Sequence, residues 1–250
     1  SLAVPEAKAG GRYIDRLSDA SKEGKARQLA LAKQAITDLQ AISRDSLSKE
    51  PKVTYDVATT MLQNNVEVGS YDPGGGATAP YVLSQLTGSY TGTPDFLASQ
   101  HPVTNRDQAD AYLTRLSAFA KQMDQEIAVL NADVGNGVIP PDFCIDGAFK
   151  QRRAFSATAP AQNPLVTSVS QKLGSVNEIS AADRTSLAQH AQTILHDEIL
   201  PAYQRQIAAL TAVRPRATHD AGIWKLPHGQ EMYVSALKSV TTTSMTPDEI

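Results

Sequence analysis

Apolar residues recur at helical spacing over most of the chain, and nowhere do they alternate cleanly as in a strand with one buried face. The first periodic segment covers about residues 22–43, where Ala26, Leu29, Ala30, Lys33, Ile36, Leu39 and Ile42 fall on one side of a helix. A polar break from Ser43 to Lys52 contains Pro51, and the pattern resumes from Thr54 to Asn65 through Tyr55, Ala58, Met61 and Leu62. Val66 to Thr91 reads instead as a long loop, punctuated by Asp72-Pro73-Gly74-Gly75-Gly76, Pro80 and Gly88.

The strongest helix follows. Thr104-Asn105-Arg106-Asp107-Gln108 supplies a capping oxygen and, three residues on, an acidic or amide side chain, which satisfies donors that the first turn leaves unpaired. Ala109, Tyr112, Leu113, Leu116, Phe119, Ala120, Met123, Ile127 and Leu130 form its apolar stripe. Gly135, Gly137 and the pair Pro140-Pro141 end it. A shorter helix is predicted over Asp142–Phe155. Another long one starts at Ser180-Ala181-Ala182-Asp183 and runs through Leu187, Ile194, Ile199, Ile207 and Leu210, with Pro201 expected to kink it. The fold class is therefore all-α, a multi-helix array with long irregular loops and a minor β-hairpin near 224–233. We read 1–250 as a single helical unit with an N-terminal helix segment over 1–50 and a helical scaffold over 51–250.

At its far end the chain carries Thr246-Pro247-Asp248-Glu249, a capping threonine, a proline where its missing donor costs nothing, and acids in the first turn. A start signal with a single turn behind it is not stable alone, so the natural polypeptide is expected to continue past Ile250. The opening, Ser1 to Gly10, lacks a basic head followed by an apolar block, so no signal peptide is expected within this chain.

Composition narrows the function. Twenty-three basic against 26 acidic residues give a net charge of -3 without a basic stripe, so nucleic acid is not an expected partner. No apolar run approaches the roughly 20 residues that span a bilayer. The single cysteine, Cys144, forms no internal disulfide and reads as a small buried side chain between Phe143 and Ile145. His101, His190, His196, His219 and His228 do not fall in a His-Glu-x-x-His pattern, so no metal ligands are assigned here. Gly74-Gly75-Gly76 has neither the strand before nor the Lys-Ser/Thr after it that a phosphate loop requires, and reads as a flexible turn. Adjacent carboxylates such as Asp197-Glu198 do not face each other on a helix. No catalytic residue is assigned, and Ser239 to Ser244 reads as a loop leading to Thr246.

Several segments together resemble a bacterial family known as domain of unknown function 885. They are Pro80-Tyr81-Val82, the run Thr93 to Pro102, Asp110 to Leu116, Gly137 to Phe143, Asn163-Pro164-Leu165, Leu200 to Tyr203, Gly222 to Gly229, and Tyr233 with Thr241 to Ile250. Their order and spacing agree over about residues 50–250. The resemblance implies a helical, gluzincin-like zinc metallopeptidase whose zinc-bearing helix lies downstream of the Thr246 segment, so zinc is expected in the full-length protein and not in this chain. It implies a periplasmic or extracellular location, a peptide substrate, and the C-terminal half of the same protein as packing partner. Within it, Trp224 and Tyr233, with Thr241, Thr242 and Thr243, are candidates for the substrate cleft, although Trp224 also suits an ordinary core position. The competing expectation is a noncatalytic helical binding module that uses the loop Val66–Thr91.

Overall fold

The structure is a computed structural model and describes residues 13–71 and 74–250. Ser1 to Gly10, read above for a leader, and the pair Asp72-Pro73 lie outside the described residues. Among the described residues the regular structure is entirely helical. In chain order, α1 (Lys22–Gln40) and α2 (Lys49–Gly69) are followed by α3 (Ser89–Asp95), α4 (Arg106–Gly135), α5 (Asp142–Ala157), α6 (Pro164–Gly174), α7 (Ala181–Ile194), α8 (Leu200–Val213) and α9 (Gly229–Thr241). A final 3-10 turn, Pro247–Glu249, closes on a capping box in which the Thr246 amide donates to Glu249 at 2.7 Å.

Helix α4, 30 residues long, is the spine. Its start is fixed as its sequence suggests: Asn105 Oδ1 accepts from the Gln108 amide at 2.9 Å, and Gln108 Oε1 accepts from the Thr104 amide at 2.7 Å. Tyr112, Leu116, Phe119 and Met123 are wholly buried against α3, α6, α7 and α8, and Val129, Leu130 and Val134 enter a second cluster with Leu83, Ile145 and Leu210. The helix ends in a Schellman turn. Gly137 sits at φ 82°, where an L side chain is strained, and its amide donates to the Val134 carbonyl while that of Val138 donates to Asp133.

Two prolines are accommodated by wide turns. The turn Leu195–Ile199 is a π-helix in which the Leu200 amide reaches back to Leu195, so α7 passes into α8 with Pro201 just after the expanded turn. Pro94 in α3 is likewise followed by a π turn over Phe96–Gln100, closed by the His101 amide on Phe96 at 3.0 Å. The wide turn before Pro201 takes up the carbonyls that this proline displaces, whereas the one at Phe96–Gln100 follows Pro94.

The sequence expectations need three corrections. There is no hairpin near 224–233: Ile223–Lys225 is a 3-10 turn and Gly229–Thr241 is a helix. Met232 and Ser235 recur there at helical spacing and are buried. The loop is shorter than Val66–Thr91, because α2 runs to Gly69 and α3 begins at Ser89. It is also anchored, with Leu83 fully buried and the Gly74 amide donating to Asp133 Oδ2 at 2.8 Å. Gly74 is a contact residue and no flexible turn: a Cβ there would lie 2.1 Å from Val129 Cγ1.

Two buried polar groups clamp elements together. Glu126 of α4 accepts from the Ser89 amide at 2.6 Å, from Ser89 Oγ at 3.0 Å and from Gln206 Nε2 at 2.9 Å. Arg152 of α5 donates from Nε to Gln206 Oε1 at 2.9 Å, and its guanidinium lies 3.7 Å over the Tyr90 ring. Burial pushes the Glu126 carboxyl above its usual range while the Ser89 donors, Gln206 and Arg152 pull it back. Elsewhere Arg115 donates to His101 Nδ1 at 2.8 Å and to the Arg16 and Tyr13 carbonyls, which ties the segment before α1 to the spine. With Nδ1 accepting, His101 carries its proton on Nε2 and donates to the Gln108 carbonyl at 3.0 Å.

Replacing Arg152 with Ala removes its hydrogen bond to Gln206 and its contact with the Tyr90 ring from the core, and urea unfolding is expected to show a loss of about 2–3 kcal/mol. Arg205, which pairs with Asp124 at the surface, sets the contrast: Arg205→Ala is expected to cost under about 1 kcal/mol. Burial also pushes the His101 pKa down from 6.5 to about 4. The unfolded chain takes up that proton below about pH 6.5 and the folded chain only near 4, so this contribution is complete above 6.5 and lost as pH falls through the window. The loss is roughly 3 kcal/mol at most. Thermal melts of His101→Gln are expected to depend less steeply on pH between 6.5 and 4 than those of the parent.

Candidate functional site

The residues with chemistry are scattered unless the fold gathers them, and it gathers few of those that the sequence singles out. His190, His196, His219 and His228 are exposed; His196 pairs with Asp197 at 2.5 Å and His219 with Asp142 at 2.8 Å. Among the described residues no three of His, Cys, Asp and Glu converge as metal ligands. Cys144 is half-buried and Phe143 is exposed, so the apolar burial expected of this pair is only partial. Burial pushes the thiol pKa up, which keeps Cys144 in its weakly nucleophilic form near neutrality.

A cleft of about 520 Å³ forms where the end of α4, the segment before Gly74 and the turn before α9 meet. Its lining is Ser70, Tyr71, Asp133, Asn136, Val138, Pro227 and His228. The volume falls within the range of small-ligand sites. Asp133 is almost completely buried at its floor; it takes the Gly74 amide on one oxygen and lies 3.7 Å from Lys22 Nζ on the other. His228 sits in the left-handed region at φ 58°, a conformation that costs a non-glycine residue of order 1 kcal/mol and that concentrates at working sites. Its carbonyl accepts from the Met232 amide at 2.9 Å and so starts α9.

The turn that brings Pro227 and His228 to this cleft also carries Trp224. Its indole is 75% exposed and lies across Gly222, where a Cβ would come 2.0 Å from the ring. Trp224 is therefore no core residue: the Gly222 surface supports one face of the ring, and solvent takes the rest. Tyr233 is exposed on the second turn of α9. The three threonines serve the helix end. Thr241 Oγ1 donates to the Leu237 carbonyl at 2.8 Å, Thr242 caps the helix in the left-handed region and donates to the Thr241 carbonyl at 2.7 Å, and Thr243 Oγ1 lies 3.1 Å from Thr241 Oγ1.

Reading the sequence alone does not reach Tyr71, Asp133, Asn136 and His228. For Asp133 a signal exists: Tyr112, Phe119, Glu126 and Asp133 are spaced seven apart on α4, and all four are buried. Carboxylates in register with core aromatics on one helix face mark buried charges that need partners. For Asn136 and His228 no such signal is present, since the approach of two distant turns makes their site.

The fold has a solved counterpart. A structure described as "the putative lipoprotein from Colwellia psychrerythraea" superposes with a TM-score of 0.84 at 20% identity, covering 97% of this chain and 43% of that one. At that identity the likeness is one of fold, and this chain spans less than half the length of the Colwellia protein. No curated protein matches the chain. A family profile covers nearly all of it, residues 5–250, and on that match the chain belongs to the family described as bacterial protein of unknown function (DUF885).

Proposed function

We propose that this chain is the N-terminal helical scaffold of a zinc-dependent peptidase of its family and forms one wall of the substrate cleft. The observation that carries the cleft is the turn Gly222–Gly229, which presents an exposed indole and sets a left-handed His228 beside Tyr71 and Asn136. Such a surface suits a peptide: aromatic faces cover apolar side chains, and amide, phenol and imidazole groups bond to the backbone. The peptidase class rests on the family resemblance, and the coverage of 43% of the Colwellia chain supports a protein that extends beyond this unit. Zinc in the remainder of the protein belongs to the same proposal and rests on the family resemblance. A periplasmic or extracellular location is the proposal that accompanies this reading, supported by the description of the Colwellia protein.

A binding module working through the loop at 66–91 has less support. That segment is largely fixed by its own contacts, with Val82 and Leu83 in the core and Thr87 Oγ1 donating to the Tyr81 carbonyl at 2.6 Å.

The product of the complete gene is expected to carry about one zinc per chain and to hydrolyse peptides; a product with neither property sinks the proposal. In that protein Trp224→Ala is expected to raise KM about fivefold, the worth of one aromatic contact of roughly 1 kcal/mol, with little change in kcat. Its thermal midpoint should hold, since the indole is exposed. His228→Gly deletes the imidazole where glycine fits the backbone, so stability is expected to hold within about 1 kcal/mol while KM rises.

A further inference from the structure

Helix α2 is 21 residues long and has no fully buried side chain. Helices of this length owe most of their stability in proteins to an apolar face packed on a core. Here one face of α2 rests on α1 and α9, while Val53, Val57 and Met61, four residues apart in turn, stand 59%, 52% and 60% exposed. Helix α9 runs beside it, tied by Lys238 to Glu67 at 2.7 Å, and exposes Tyr233 and Val240. Between the two helices lies a groove of about 460 Å³ whose lining includes Val57, Thr60, Met61, Ser239 and Thr242. Its one carboxylate, Asp56, is already held by both nitrogens of an Arg44 fork at 2.6 Å. The groove therefore presents Val57 and Met61 among the uncharged polar side chains Thr60, Asn64, Asn65, Ser239 and Thr242, and offers little to a charged ligand or an anionic membrane.

We infer that this groove seats an amphipathic helix from the remainder of the same polypeptide, and that α2 and α9 form the internal interface of the longer protein. The inference rests on the reading of this chain as part of a longer protein. An apolar stripe with a neutral rim fits a helix presenting apolar anchors at positions i, i+4 and i+7. The source is argued from length: the Colwellia protein shares this fold over 43% of its chain, which leaves more than half of it to pack elsewhere. Exposed contiguous apolar surface on a fold this well matched is interface surface.

Hydrogen exchange tests the assignment, comparing the 250-residue chain with the product of the complete gene. Amides of residues 53–64 and 236–242 are expected to exchange at least tenfold more slowly in the longer protein, at rates independent of its concentration. Val57→Glu and Met61→Glu are expected to shift the thermal midpoint of the 250-residue chain by under about 2 °C, as surface changes do, and that of the longer protein by more than about 5 °C. Equal exchange in both proteins overturns the inference, as does protection that grows with concentration, which indicates a second copy in the groove, or a gene that encodes nothing past Ile250. A longer protein with a protected groove but no zinc refutes the peptidase reading alone; a zinc peptidase whose groove exchanges as in the short chain refutes this inference alone.

Discussion

A long helix buried along most of its length cannot be apolar all round and also hold its neighbours in register, and α4 shows how the chain meets that constraint. Its stripe of Tyr112, Leu116, Phe119 and Met123 supplies the apolar contact. The same buried surface also carries Gln108, Arg115, Glu126 and Asp133, and each of these has its own partners. Gln108 caps its own helix, Arg115 holds His101 and the chain before α1, Glu126 holds Ser89 and Gln206, and Asp133 holds Gly74. A buried charge without a partner costs several kcal/mol, so these positions select one arrangement of the surrounding segments where apolar packing alone tolerates several.

The remaining helices are built to approach this spine. Leu195, Ile199, Ala202 and Tyr203 reach the core on both sides of the π turn before Pro201, and Tyr203 stacks on Phe155 with ring centroids 4.4 Å apart. Phe96 and Leu97, at the start of the π turn after Pro94, are buried in the same core. Packing thins away from the spine. Gly24 is the fully buried residue of α1, and α2 has none. The cleft with Asp133 and His228 lies at the end of the spine, and the α2–α9 groove lies beyond it on the thinly packed side.

Most of the fold is legible in the sequence where the physics is local. The start of α4 at Asn105, its stop at Gly135 to Gly137, the start of α7 at Ser180 and the closing turn at Thr246 each depend on groups within a few residues, and the structure has all four. The extent of α4 follows from its own stripe. Helix α6 is harder to read although Asn163-Pro164 is a proper start, because its 11 residues are rich in Val, Ser and Thr, and its stability comes from Leu165, Val169 and Leu173 meeting α4 and α7. The hairpin expected near 224–233 fails for a related reason: so short a segment says little until burial decides which side chains face inward, and it is Met232 and Ser235 that do.

The candidate site divides along the same line. Residue types suggest Trp224, Tyr233 and the threonines, and the structure puts the indole in solvent while spending the Thr241 and Thr242 hydroxyls on the end of α9. Tyr71, Asp133, Asn136 and His228 meet only because the Gly74 amide binds Asp133 and the Pro227 turn returns to the end of α4, contacts that span 59 residues or more of chain in the first case. By itself the sequence determined the all-helical class, the main caps and stops, and the family, since these depend on neighbours along the chain. Which polar groups are buried, which prolines need a widened turn, where the cleft forms and which helix face stays open were decided by tertiary packing, because burial is a property of elements brought together from distant parts of the chain.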